Sequence, residues 1–514
     1  MNQDSKIHIL FTSDIHGHIL PIEYSDNSKT DYGLSKIITM IKAYDKSKTI
    51  ILDLGDILQG SPLMYFHQLN REKYSNPAAR IFNIINYDYF IPGNHDFNYG
   101  KNYLDDFINQ ISAKTLCQNI YKGEDLAFKN GYDILEMPQG IKVLTIGITT
   151  KYIPNWENPT NIEDLIFKDT VSETKKIVDK YKGEVDLIIA AYHGGFERDI
   201  LTGEAFVKDT GENQGYRIFE EIPEIDVLLT GHQHREIIQK KGNRIVVQPG
   251  ANGMFLGNVD VTFDNSKKIK EVEGKLIPAK LYDEDPRPKE ILKEIEANNQ
   301  LFLDEIIGEV VEGDLEVKDA FKARLEKHAI VDFINNIQLD ATGAMLSATS
   351  LANQVSGFKK HITIRDVLST YVYSNTLVVV EIAGLNLRKY LEKCAEYFIV
   401  KDGIITYNPR FSYPKVEHYN YDMIAGIDYV FDLQKPFGKR VKSVKYKGKE
   451  VKDTDLFTLA LNNYRANGGG DFEMLRNLRI VREIPFDVAE LMIEYIRKQH
   501  YLHIKTRNNI KLLK

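Results

Sequence analysis

Apolar residues in the first half of the chain come in short runs, and most of these runs stop at a polar cluster. Residues 7–12 end in Ser13-Asp14-Ile15-His16-Gly17-His18. Residues 49–54 lead into Gly55-Asp56, and 87–91 lead into Gly93-Asn94-His95-Asp96. Residues 186–192 end in His193-Gly194-Gly195, 225–230 in Gly231-His232-Gln233-His234, and 243–247 in Gln248-Pro249-Gly250. The run at 141–148 carries no comparable cluster. Runs of this length predict buried strands. Between them, Leu34, Ile37, Ile38, Ile41 and Tyr44 recur at helical spacing, and Pro77 opens another helix over 78–85. Strands alternating with helices predict an α/β layered domain. Polar groups gathered just past strand ends lie where open α/β sheets place their sites.

The second half loses this rhythm. Asp285-Pro286-Arg287-Pro288 breaks regular structure, and 289–307 reads as a mostly polar helix. An apolar stretch at 333–339, β runs at 376–382 and 456–461, and a helix at 385–398 follow, with no further ligand-type motif. The predicted organisation is a first domain over 1–281, a helical linker over 282–308 and a second, mixed α/β domain over 309–514. A chain of 514 residues is in any case too long for one hydrophobic core.

Composition narrows the class without naming it. With 43% hydrophobic and 27% charged residues the chain reads as globular, and a net charge of −7 gives no general attraction to nucleic acid or membrane. Cys117 and Cys394 are far apart and form no CxxC pair, which argues against a disulfide framework or thiolate zinc site. Residues 1–6 are polar, and no apolar run is long enough to span a bilayer. The expectation is a cytoplasmic monomer or weak dimer, exported only if a leader was removed, with no membrane partner and no stable nucleic-acid partner.

The candidate chemistry lies in the clusters. One histidine after a strand is ordinarily a loop or core residue, since histidine serves many roles. Asp53 reads as a strand or turn residue and His18 as a surface or supporting group. His8, His67, His361 and His500 have no context that gives them a role. The joint occurrence is what counts. Asp14, His16, Asp56, Asn94, His193, His232 and His234 supply enough N and O ligands for two cations, and the lack of a thiolate argues against a structural zinc site.

In order and spacing these motifs resemble those of the calcineurin-like metallophosphoesterases: Asp14-Ile15-His16, Gly55-Asp56, Gly93-Asn94-His95-Asp96, His193 and Gly231-His232-Gln233-His234. The resemblance covers roughly residues 6–280 and implies a four-layer αββα fold with two metal sites. Asp14, His16 and His234 would hold one ion, Asn94, His193 and His232 the other, and Asp56 both. Mixed imidazole and carboxylate ligation suits Mn or Zn, with Fe or Co also compatible. His95 would stand beside the phosphate as a charge stabiliser or acid rather than a ligand. Attack would come from a hydroxide bridging the metals.

Two aromatic segments of the second half, Tyr419-Asn420-Tyr421-Asp422 and Asn462-Asn463-Tyr464-Arg465-Ala466 before a glycine run, are similar to those of the 5'-nucleotidase family. Its branch of 2',3'-cyclic-nucleotide 2'-phosphodiesterase/3'-nucleotidases is the nearer match. There the residue beside the catalytic histidine is an amide, here Asn98, where 5'-nucleotidases carry a carboxylate. The resemblance implies a base clamp of Tyr464 with Tyr419 or Tyr421, Tyr419 being favoured, and further substrate contacts from Arg465, Asn467 and Gly469. Any one of the 29 tyrosines is more ordinarily a core or surface residue. The implied function is hydrolysis of 2',3'-cyclic nucleotides to 3'-nucleotides and then nucleosides. The alternatives are a 5'-nucleotidase or UDP-sugar diphosphatase and, remotely, a non-catalytic nucleotide-binding protein.

Overall fold

The computed structural model describes residues 5–137, 140–155, 157–205, 210–373, 375–476 and 478–514. The chain divides into two compact units, Met1–Asn299 and Gln300–Lys514. The expected linker, 282–308, contains the helices Pro286–Ile291 and Lys293–Leu303. Among the described residues no helix is long and apolar enough to cross a membrane.

The first unit is built on two six-stranded sheets. Its strands begin with β1 (Ser5–Thr12), β2 (Thr49–Asp53), β3 (Tyr89–Phe90), β4 (Lys114–Thr115), β5 (Tyr132–Glu136) and β6 (Lys142–Thr149). They continue with β7 (Leu187–His193), β8 (Val227–Thr230), β9 (Glu236–Lys241), β10 (Arg244–Pro249), β11 (Phe255–Phe263) and β12 (Ile269–Pro278). One sheet runs β12-β11-β1-β2-β3-β4 and the other β9-β10-β8-β7-β6-β5. Alternation along the strands decides the layers. Ile7, Ile9 and Phe11 of β1 join Leu187, Ile189 and Ala191 of β7 in one buried core between the sheets. The intervening residues of β7, Ile188, Ala190 and Tyr192, pack outward on helices α4 (Thr170–Tyr181) and α5 (Gly215–Glu221).

The outer face of the first sheet is covered by α1 (Leu34–Ile41), α2 (Pro77–Ile85) and α3 (Lys101–Gln110). Phe90 of β3 meets Phe82 of α2 and Phe107 of α3 at ring-centroid distances of 5.9 and 5.2 Å. The result is the four-layer αββα arrangement. Helix α2 shows why the sequence starts a helix there. Asn76 accepts from the Ala79 N–H, and Pro77 occupies the first turn, where no N–H is needed.

Strands β1, β2 and β3 are parallel, as are β6, β7 and β8. Their carboxyl ends carry the polar clusters of both sheets.

The second unit is mixed α/β. Its largest sheet holds β13 (Leu346–Ser350), β14 (Thr376–Ala383), β15 (Asp422–Ala425), β16 (Leu456–Asn462) and β17 (Ile480–Asp487), in the order β15-β13-β16-β14-β17. The apolar stretch at 333–339 lies inside helix α6 (Ala329–Thr342). Asn335 on that helix accepts from Ser347 Oγ of β13 and donates to the Met423 carbonyl of β15, tying helix to sheet.

Candidate functional site

Among the described residues, two groups bring metal-type ligand atoms within 4.8 Å of one another: Asp14, His16 and His234, and Asp56, His193 and His232. Asn94 stands in the second group. Its Oδ1 is 2.8 Å from His232 Nδ1 and 3.1 Å from His193 Nε2. All seven residues follow strand ends or, for His193, close one.

The backbone is bent to deliver them. Asp14, His16, Asp56, His232 and His234 have φ of 56°, 50°, 57°, 68° and 56°. Aspartate and histidine tolerate this left-handed region better than bulkier residues, but each such position costs about 1–3 kcal/mol. Concentration of that cost at one end of the sheets marks a site rather than a packing solution. Gly93 has a spatial reason: a Cβ there would collide with Asp56 Oδ1 and come within 2.7 Å of His193 Cε1.

Three of the four imidazoles are fixed from behind. His16 Nδ1 meets the Gln59 carbonyl at 3.0 Å, and His193 Nδ1 meets the Leu54 carbonyl. His232 Nε2 faces Glu212 Oε1 at 2.9 Å. A carbonyl or carboxylate takes the N–H, so the opposite nitrogen is left with its lone pair toward the centre. His16 Nε2 and His234 Nε2 face each other at 3.1 Å, and His234 Nε2 lies 3.5 Å from Asp14 Oδ1.

The atoms that converge are those that packing would not leave bare. Asp56 Oδ1 accepts the His95 N–H at 2.7 Å. Its Oδ2 is buried and accepts no hydrogen bond, 3.3 Å from His193 Nε2. A buried carboxylate oxygen without a donor calls for a cation. Burial opposes ionisation of Asp56, but His193, His95 and His16 outweigh it and hold its carboxyl well below the usual range. His193 shows the reverse balance: burial lowers its pKa, while Asp56 and Asp14 lift it to about 10, so that without a cation Nε2 carries a proton that a bound cation would displace. His16 falls to about 3 through burial and the charge of His234. Imidazole, carboxylate and amide donors without a thiolate fit Mn-, Zn-, Fe- or Co-type divalent ions.

His95 stands beside this centre, its ring centroid 5.3 Å from that of His16. Its Nδ1 lies 2.8 Å from Asn98 Oδ1. Asp53 and Asp96 do not join the ligands. Asp53 accepts from Thr12 Oγ1 and the Gly55 N–H. Asp96 accepts the N–H groups of Asp56, Ile57, Leu58 and Gly93 at 2.8–3.0 Å, pinning one ligand loop to the other.

The second-unit loop is different, and two expectations are corrected there. Arg465 is 2% exposed and spends its five donors inside the unit. It donates to both oxygens of Asp422, to Asn420 Oδ1 and to the carbonyls of Gly469 and Tyr419. No N–H remains for a substrate. Tyr421 is 1% exposed and stacks on Tyr397, centroids 4.8 Å apart at 17°. A ring sealed into the core cannot grip a base. Tyr419 and Tyr464 are half-buried, Tyr419 meeting Tyr373 edge-on at 5.5 Å. A Cβ on Gly469 would meet ring atoms of Tyr464 at 2.5–2.7 Å, so Gly469 seats that ring. Asn467 is half-buried just past the short helix Asn463–Ala466.

Comparison with known proteins places this geometry. The calcineurin-like phosphoesterase model matches residues 7–236, and the 5'-nucleotidase C-terminal domain model matches 306–477. A Staphylococcus aureus crystal structure, provisionally assigned as a 5'-nucleotidase, is 32% identical, with a TM-score of 0.92 over 99% of this chain and all of that one. The chain belongs to the 5'-nucleotidase family of calcineurin-like metallophosphoesterases. It is thereby a metal-dependent hydrolase of nucleotide phosphoesters.

Two curated relatives of the family are 26% identical. The 2',3'-cyclic-nucleotide 2'-phosphodiesterase/3'-nucleotidase of Haemophilus influenzae aligns over 96% of this chain and 85% of its own length. The trifunctional nucleotide phosphoesterase YfkN of Bacillus subtilis aligns over 98% of this chain, which spans 38% of that relative.

Sequence reasoning missed Glu157 and Glu212 at this family centre. Both sit on loops outside any motif, and nothing in local pattern marks them. Asp96 was visible inside its motif, but its service to four N–H groups was not.

Proposed function

We propose that this family member opens 2',3'-cyclic nucleotides to 3'-nucleotides and then removes the remaining phosphate. The observation that carries this reading is His95 held by the amide of Asn98 rather than by a carboxylate, as in the cyclic-phosphodiesterase branch. The 26% identity to the H. influenzae enzyme over nearly the whole chain supports it.

Asp14, His16 and His234 would hold one divalent ion, Asn94, His193 and His232 a second, and Asp56 would contact both, with Mn or Zn the best fit to the donors. When bound, the two ions supply positive charge to the phosphoryl oxygens and a nucleophile at neutral pH. The chain's own part is orientation. Gln59, Leu54 and Glu212 hold the imidazoles in the ligating tautomers. His95, through Nε2, meets the phosphoryl group or the leaving oxygen. Tyr464 and Tyr419 take the base, each stack contributing about 1–3 kcal/mol.

The 32% identity to the S. aureus protein favours a second reading, a 5'-nucleotidase. Phosphate release and product identity from 2',3'-cAMP, 3'-AMP, 5'-AMP and a UDP-sugar, with added Mn²⁺, separate the two. Faster conversion of 2',3'-cAMP to 3'-AMP is expected. Preference for 5'-AMP or the UDP-sugar would overturn the cyclic-nucleotide reading.

A further inference from the structure

Asn98 by itself leaves the histidine beside it undetermined. An amide can turn either its oxygen or its NH₂ toward an imidazole nitrogen, and the two choices select opposite tautomers. The choice here is made by Glu157, which lies 59 residues further along the chain and is only 7% exposed. Glu157 Oε2 accepts Asn98 Nδ2 at 2.6 Å. Glu157 Oε1 accepts the Asn158 N–H at 2.8 Å and Asn161 Nδ2 at 2.9 Å. Asn161 Nδ2 also donates to the Asn98 carbonyl at 3.0 Å, so the 157–161 loop grips the 95–98 turn through both side chain and backbone.

We propose that Glu157 is a positioning residue for His95: by accepting the Asn98 NH₂ it turns Asn98 Oδ1 onto His95 Nδ1, fixes the neutral imidazole as the Nδ1–H tautomer, and reserves Nε2 for the substrate. This rests on the reading above that His95 faces the phosphoryl ester. The logic follows from donor counting. Both carboxylate oxygens face donors, so an ionised Glu157 satisfies them all, and Asn98 can offer only its NH₂ there. Its Oδ1 then accepts from His95, whose Nδ1 must carry the hydrogen. The carboxylate thus acts on the ring at one remove, setting orientation and tautomer without placing its charge against the imidazole.

Replacement of Glu157 by the isosteric amide reverses the relay. Two of the three donors converge on Oε1, so Glu157→Gln keeps its oxygen there and places NH₂ opposite the Asn98 NH₂. Asn98 then flips, its NH₂ turns to His95 Nδ1, and the hydrogen moves to Nε2. Asn98→Asp alone sets two carboxylates within hydrogen-bond distance. Paired with Glu157→Gln, the new carboxylate gains the Gln NH₂ on one side and His95 Nδ1–H on the other.

The test uses the full chain loaded with diamagnetic Zn²⁺ and labelled with ¹⁵N-histidine, His95 being assigned by comparison with His95→Gln. Wild type should show the Nδ1–H tautomer, and Glu157→Gln should shift it to Nε2–H. On whichever nucleotide the wild type prefers, kcat should fall roughly 10–100-fold with KM nearly unchanged. Asn98→Asp should lose activity that Asn98→Asp/Glu157→Gln regains. An unmoved tautomer, an unmoved kcat, or a double variant no better than the worse single variant would each overturn the proposal. The tautomer is read without substrate, so failure of the cyclic-nucleotide reading leaves this measurement decisive.

Discussion

The ligand loops of the first unit and the aromatic loops of the second carry equally suggestive residues, but the structure uses them in opposite ways. Around Asp56 the atoms that face inward are left open: Oδ2 has no hydrogen-bond partner, and His16 Nε2 and His234 Nε2 face each other at 3.1 Å. Around Arg465 everything is spent, with donors and acceptors closed within one buried network. Both regions are polar and buried. What separates a site from a scaffold is whether the hydrogen-bonding capacity is left open after the protein has satisfied itself.

The comparison is broken most directly at Asp56. Asp56→Asn keeps the shape but removes half of the first unit's buried ligand charge, and turnover should fall below about a hundredth of wild type, beyond the 10–100-fold cost of an outer partner. The thermal midpoint should scarcely move. Activity retained with bound metal would place the centre elsewhere.

Arg465→Met should do the opposite. It strands Asp422, 3% exposed, without its cation, and should cost about 3–5 kcal/mol in chemical unfolding of the second unit. A rise in KM with unchanged stability would show that Arg465 binds substrate after all.

Between these extremes lies the proposed base clamp. Tyr464→Ala should weaken nucleotide binding by about 1–3 kcal/mol, seen in KM. Tyr421→Phe keeps the stacked ring and should leave KM unchanged. Equal effects of the two changes would erase the distinction drawn between a half-buried and a sealed tyrosine.

The smallest effect sharpens the contrast inside the first unit. Asp226 begins the segment leading into β8 and accepts the Ile188 N–H at 2.9 Å. Burial pushes its carboxyl from 3.8 up to about 6, against that hydrogen bond and the charge of Arg244. The folded state therefore holds the proton more tightly than the unfolded state. The stabilisation from this group is complete below the unfolded value and is lost as pH rises through the folded one. Asp226→Asn should gain about 1–2 kcal/mol at neutral pH and nothing in acid, with kcat untouched. A change in kcat would join this carboxylate to the chemistry.

Much of the first unit was legible because its signals are local. A run such as 7–12 is too short for a helix and too apolar for a surface loop, and Asp14 and His16 follow it within one turn. The helix expected from Leu34, Ile37, Ile38, Ile41 and Tyr44 forms over Leu34–Ile41. The few apolar residues at 333–339 do not separate helix from strand, and only the packing of Ala329–Thr342 decides for a helix. Glu157 was illegible for another reason: a carboxylate in an irregular loop acquires meaning only from what folds against it. Tyr419 and Tyr421 differ by two positions and look alike in sequence, yet only Tyr421 points into the core.

By itself the sequence determined the alternating strands and helices, the order of the ligand motifs, and the resemblance that led to the family. These depend on residue type and near neighbours, where sterics and hydrophobic period act. Tertiary structure alone decided which nitrogen of each histidine faces the centre, that Arg465 is sealed by Asp422, and that Glu157 sets the Asn98 amide. Those outcomes depend on hydrogen bonds between segments tens of residues apart, and no local pattern specifies which donor will meet which acceptor.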